Sequence, residues 1–135
     1  MSKKQTIMSF LKNMFGSNEE THSTSKVEWR TLTDLGQLNE IVEVSAEKPV
    51  IILKHSTRCS ISRMVLRQFE NEFALEDKVV PYFLDLLENR EISNEIASRF
   101  GVQHQSPQII VVKDGKAVCN ASHESIDAGK IAEFI

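Results

Sequence analysis

Apolar and polar positions along this chain change period in a regular way from residue 27 onward, and the changes mark out its elements. Val-Glu-Trp-Arg-Thr-Leu, 27–32, reads as a short strand. Thr33 or Asp34 can cap a helix running to about Ser45, since Leu35, Leu38, Ile41 and Val42 form one helical stripe. Pro49 restarts the chain, and Val-Ile-Ile-Leu-Lys-His, 50–55, is a nearly continuous apolar run of strand length, as expected of a central strand covered on both faces. Ile61, Val65, Leu66, Phe69 and Phe73 return to one helical face, which ends near Leu75. Residues 79–87 read as a second buried strand with Pro81 near its start, because proline cannot donate to a ladder. Ile92, Ile96, Ala97 and Phe100 form a third helical stripe, with Gly101 as its C-cap.

The pattern then changes. Two apolar runs joined by Asp114-Gly115 predict a β-hairpin, hence antiparallel strands, and Ser125 can cap a last helix reaching Ile135. A βαβ unit followed by a helix, a hairpin and a terminal helix predicts an α/β fold with a central mixed β-sheet flanked by helices. Strand 50–55 should lie between a parallel strand, 79–86, and an antiparallel one, 108–113. There is no internal repeat and no low-complexity tract.

Residues 1–26 stand apart from this 27–135 domain. Ile7, Phe10, Leu11, Met14 and Phe15 could form a short amphipathic helix over 6–15 that stops at Gly16. It reads as an arm that is disordered or packs on a neighbour, ahead of a peripheral membrane contact, since interfacial helices carry a longer, more basic polar face. Residues 16–26 are polar apart from glycine and read as a linker.

Composition narrows the functional classes. With 135 residues, 41% hydrophobic and 26% charged, the chain suits one soluble globular domain, and a net charge of −3 provides no footprint for nucleic acid. No apolar run approaches the roughly 20 residues that span a bilayer. Lys12 and Asn13 interrupt the apolar patch near the start and no small-residue cleavage site follows, so the expected compartment is the cytoplasm. Two cysteines and four histidines provide neither a disulfide framework nor a metal-ligand spacing; no metal or bound cofactor is expected.

The candidate chemistry lies in His-Ser-Thr-Arg-Cys-Ser-Ile-Ser, 55–62. Cys59 falls on the turn between a central strand and a helix, where open α/β sheets place ligands. The first-turn N–H groups of Ser60, Ile61 and Ser62, the helix dipole and the charge of Arg58 would all favour a thiolate and lower the thiol pKa. Ser62, one turn on, can donate to the sulfur but cannot form a disulfide, so the pattern points to one-thiol chemistry. Cys119 lies mid-strand in the hairpin, two strands from 50–55; about 10 Å of sideways separation exceeds the roughly 7 Å between Cα atoms that a disulfide tolerates. It reads as a packing residue. His55 and His123 read as ordinary strand-end or loop histidines, and His104, near Pro107, as the one that could approach the site. The residues alone fit a trans proline at 107, since only about 5% of such bonds in folded proteins are cis.

The element order, the Cys-x-x-Ser turn and the proline opening the hairpin resemble the thioredoxin fold over residues 27–135. Within it, "HSTRCSIS", "GVQHQSPQIIVVKDGKAV" and "ASHESI" resemble the monothiol bacilliredoxins of the bacillithiol system, whose site pattern is Thr-Cys-Pro-Ile-Ser. Here Arg58 stands between Thr57 and the cysteine, and Ser60 replaces the proline. The resemblance implies Cys59 as nucleophile assisted by Ser62 and Arg58, a cis Pro107 facing it, and Thr57, Ser106 and Pro107 on the substrate side. It further implies S-thiolated proteins as substrates, with a low-molecular-weight thiol such as bacillithiol as co-substrate. The alternative is a non-catalytic thioredoxin-fold interaction or stress protein with a modifiable cysteine.

Overall fold

The computed structural model describes residues 27–75 and 77–135; the amphipathic stretch and linker read in 1–26 lie outside the described residues. Among the described residues five strands and four α-helices follow one another: β1 (Arg30–Thr31), α1 (Gly36–Val44), β2 (Val50–His55), α2 (Ser60–Glu72), β3 (Val80–Asp85), α3 (Arg90–Phe100), β4 (Gln108–Lys113), β5 (Lys116–Ser122) and α4 (Ala128–Ala132). The strands form one sheet in the order β1-β3-β2-β4-β5. β1, β3 and β2 are parallel, whereas β4 runs antiparallel to β2 and β5 to β4.

Every residue of β2 is buried, as its nearly continuous apolar run predicts of a strand covered on both sides. Its alternating side chains enter two separate cores. Val50 and Ile52 pack with Leu38, Ile41, Ile92 and Ile96 beneath α1 and α3, and Ile51 and Leu53 pack with Phe69, Phe73, Ile126 and Ile131 beneath α2 and α4. Phe69 and Phe73 are each 1% exposed, so truncating either to alanine would cost about 3–5 kcal/mol.

Several boundaries differ from expectation for local reasons. In 27–32 only Arg30 and Thr31 enter the ladder; Val27 is buried in the α2-side core, and Trp29 Nε1 donates to Glu70 Oε2 at 2.7 Å. α1 begins at Gly36, whose N–H donates to Asp34 Oδ2 at 3.1 Å, while Gln37 Oε1 accepts from the N–H groups of Thr33 and Asp34 at 2.8 and 3.0 Å. Pro81 is the second residue of β3. Val80 donates its N–H to Pro49 on the β2 side, so the Pro81 nitrogen faces β1, whose pairing starts only at Tyr82.

The last helix corrects one expectation. Ser125 closes a 3-10 turn, His123–Ser125, and caps nothing. Asp127 is the cap: its Oδ1 accepts from the N–H groups of Gly129 and Lys130 at 2.8 and 3.1 Å, and α4 ends at Ala132. Asp114 and Gly115 turn the hairpin with φ of 52° and 75°, the positive values a two-residue turn demands. Their N–H groups both donate to Ser45, to its carbonyl oxygen and its hydroxyl at 2.8 Å each, tying the hairpin to the end of α1.

Candidate active site

β2 delivers the chain to the carboxyl edge of the sheet, and a four-residue turn, Ser56–Cys59, carries it into α2. The Cys59 N–H donates to the Ser56 carbonyl at 3.1 Å, which closes the turn. Cys59 itself is extended (φ −98°, ψ 122°) and is the N-cap of α2, and its carbonyl accepts the first helical bond, from Arg63 N–H at 3.1 Å. Cys59 is half-buried as a residue, and its sulfur sits where helix N–H groups have no carbonyl partner.

That placement lowers the thiol pKa below its ordinary value. The backbone N–H of Ser62 contributes most, partial burial opposes it, and the Ile61 N–H, the Ser62 hydroxyl and the Arg63 guanidinium add to the lowering in that order. Ser62 is fully buried, and its hydroxyl has no partner within ordinary hydrogen-bond geometry. Its bond to the sulfur is thus a weak one, consistent with its place behind the two N–H groups.

The positive charge acting on Cys59 belongs to Arg63, not to the expected Arg58, which is exposed on the turn. Arg63 lies one turn into α2, and its Nη1 donates to the Thr57 carbonyl at 3.0 Å. Thr57 is exposed, and its hydroxyl donates to Asp85 Oδ2 at 3.5 Å, linking the turn to the end of β3.

The Ser106-Pro107 bond is cis. Gln108 pairs with Lys54 in the β2–β4 register, so Pro107 stands beside the end of β2, at the sheet edge from which the Cys59 turn departs. Pro107 is buried, its carbonyl accepts the His123 N–H at 3.0 Å, and the Ser106 hydroxyl is enclosed without a partner. The buried Gln108 side chain braces the preceding loop, donating to the Gln103 carbonyl at 2.9 Å and accepting the Gln105 N–H at 3.4 Å.

Two polar groups of β2 are buried: Lys54, which the sequence reading passed over, and His55, which it took for an ordinary strand-end histidine. Lys54 is completely buried, with its Nζ 3.4 Å from the Ser93 carbonyl and 3.2 Å from His104 Nδ1; burial lowers its pKa to about 8. His55 is also buried, with Nδ1 unpartnered and its ring 5.3 Å from Phe83. Burial lowers its pKa most, Asp85 raises it in part, and Arg63 lowers it again. The signal for both was available: polar side chains inside a run read as covered on both faces must themselves be covered.

Cys119 is on β5, separated from β2 by β4, and burial raises its thiol pKa. Both cysteines are free thiols. Among the described residues no three His, Cys, Asp or Glu side chains converge to hold a metal ion, and no helix is long and apolar enough to cross a membrane.

Comparison with known proteins agrees with this geometry. The sequence model of a family described as monothiol bacilliredoxin BrxC matches residues 30–131. Among solved structures, a putative oxidoreductase with a thioredoxin fold is 31% identical, with a TM-score of 0.66 over 76% of this chain and 89% of that one. Thioredoxin of Malassezia sympodialis is 20% identical (TM-score 0.61, covering 82% and 90% of the two chains), and that of Fasciola hepatica 21% (0.60, 78% and 95%). These two share the thioredoxin fold.

Proposed function

Since the chain belongs to the monothiol bacilliredoxin family, we propose that its thiol redox chemistry is the removal of a low-molecular-weight thiol from protein mixed disulfides, with Cys59 as nucleophile. The observation that carries this reading is a lowered thiol at the start of α2 with serine, not cysteine, one turn on, and the other free thiol beyond an intervening strand. The Cys59 thiolate attacks the small-thiol sulfur of the mixed disulfide. The substrate S–S bond breaks, its electron pair leaves with the target-protein sulfur, and a solvent proton completes the released thiol. The target is reduced, and Cys59 ends in a disulfide with the small thiol. A second low-molecular-weight thiol or a reductase then regenerates it.

In this reading the N–H groups of Ile61 and Ser62 hold the thiolate, and the Ser62 hydroxyl and Arg63 support it. Ser106 and Pro107 receive the extended substrate, and Thr57 borders it. Bacillithiol is the proposed small thiol, by family membership. The proposed reaction uses the low-molecular-weight thiol as co-substrate and no bound cofactor.

Single-turnover reaction with a protein mixed disulfide, followed by mass spectrometry, tests the proposal. The expected product is a small-thiol adduct on Cys59, with the rate unchanged in Cys119→Ser and abolished in Cys59→Ser. A Cys59–Cys119 bridge would refute the one-thiol mechanism. Turnover no faster than with free thiol would instead indicate a binding module with a modifiable cysteine.

A further inference from the structure

Lys54, Ser93 and His104 meet beneath α3, and the thiol step described above uses none of them. Lys54 is 0% exposed and Ser93 is 1% exposed. The hydrogen bonds of Lys54 run to the Ser93 carbonyl oxygen at 3.4 Å and to His104 Nδ1 at 3.2 Å, neither of them a carboxylate. The Ser93 hydroxyl lies 3.2 Å from the same imidazole nitrogen.

This arrangement favours one imidazole tautomer over the other. An ammonium group has donors only, so Nδ1 must accept, and a neutral ring that accepts at Nδ1 bears its hydrogen on Nε2. A second proton would have to enter at Nδ1, directly against the Lys54 ammonium. The groups facing the ring are Lys54 from β2 and Arg90 and Ser93 from α3; burial and the two cations all disfavour imidazolium. His104 is exposed as a residue while its Nδ1 is held against Lys54 and Ser93, so Nε2 is the ring nitrogen left to meet an outside partner.

The loop is also held in place. Gln108 grips Gln103 and Gln105, the residues on either side of His104, and two residues beyond His104 the chain reaches the cis Ser106-Pro107 bond beside the end of β2. We propose that His104 is a substrate-recognition residue, whose Nε2–H donates to an acceptor oxygen of the mixed disulfide lying against Ser106–Pro107, with Lys54 as the positioning residue that sets its tautomer. This rests on the function proposed above.

The first test is nitrogen-15 NMR of the full wild-type chain, which needs no variant and no turnover. The expected result is an Nε2–H tautomer for His104 with a midpoint below that of an ordinary imidazole, moving upward in Lys54→Met. An Nδ1–H tautomer, or a midpoint indifferent to Lys54→Met, overturns the positioning role. The second test is steady-state kinetics with one reporter protein carrying either glutathione, which has carboxylate and amide oxygens, or ethanethiol, which has no oxygen. His104→Phe is expected to raise KM about 2- to 12-fold, the loss of one hydrogen bond, with kcat changed less than twofold and KM partly restored in His104→Gln. An effect on both substrates places the acceptor on the protein segment, and an effect on the glutathione adduct alone places it on the small thiol. An unchanged KM for both overturns recognition by His104. Absence of wild-type turnover would instead refute the proposed function and the recognition role with it, leaving the NMR result to decide the tautomer.

Discussion

The guanidinium of Arg63 donates to the Thr57 carbonyl oxygen at 3.0 Å while its charge lowers the pKa of Cys59. One side chain on α2 thus braces the turn that carries the thiol and favours the thiolate on it. The two effects separate experimentally, because lysine preserves the charge without the planar fork of donors.

Arg63→Gln should raise the Cys59 pKa and slow its alkylation by iodoacetamide at pH 7 by about two- to fivefold, the scale of an exposed charge interaction. Arg58→Gln should change the rate by less. The alkylation rate measured against pH for both variants checks the assignment, and a larger effect at Arg58 would reverse it.

Removing the Ser62 hydroxyl should affect chemistry more than stability. The hydroxyl is buried without a partner, so Ser62→Ala sacrifices no structural hydrogen bond and should leave the melting temperature unchanged or slightly raised. Reaction at Cys59 should slow by about two- to tenfold, because the weak bond to the thiolate is lost while the Ser62 and Ile61 N–H groups remain. A fall of several degrees in melting temperature would show that the hydroxyl is structural.

Lys54 should make stability rise with pH on the alkaline side. The folded chain releases the Lys54 proton near about pH 8, whereas the unfolded chain holds it to its ordinary value of 10.5. Between those limits the unfolded state binds more protons, so unfolding becomes harder as pH increases, by at most about 1.4 kcal/mol per pH unit. Below pH 8 both states are protonated and the full cost of the buried charge is present. Urea denaturation from pH 7 to 10 should show this slope in the wild type. Lys54→Met should remove it and be more stable at pH 7.

The cap of α4 can be tested by paired substitution. Asp127→Ala should destabilise the fold by about 0.5–2 kcal/mol, since two N–H groups lose their acceptor. Ser125→Ala should be close to neutral. Urea denaturation midpoints of the two variants decide between them.

The elements and their order were legible in the residues because period and punctuation are local. The covered run 50–55, the Gly101 stop and the Asp114-Gly115 turn needed no knowledge of what packs against them. Cys59 was legible for the same reason: the end of an apolar strand followed by a helical stripe places it at a helix start. Its placement required only the carboxyl edge of one strand and the first turn of the next helix.

Tertiary structure decided what depends on approach between distant residues. Which arginine reaches the thiol depends on where each side chain extends around the turn, and the one adjacent in sequence lost to the one a helical turn away. The partners of Lys54 come from α3 and the loop before β4, about 40 and 50 residues downstream, and no local pattern could name them. The cis bond at Pro107 followed from family resemblance, while the residues alone favoured trans; the antiparallel return of β4 along β2 then sets that proline beside the end of the strand from which Cys59 departs.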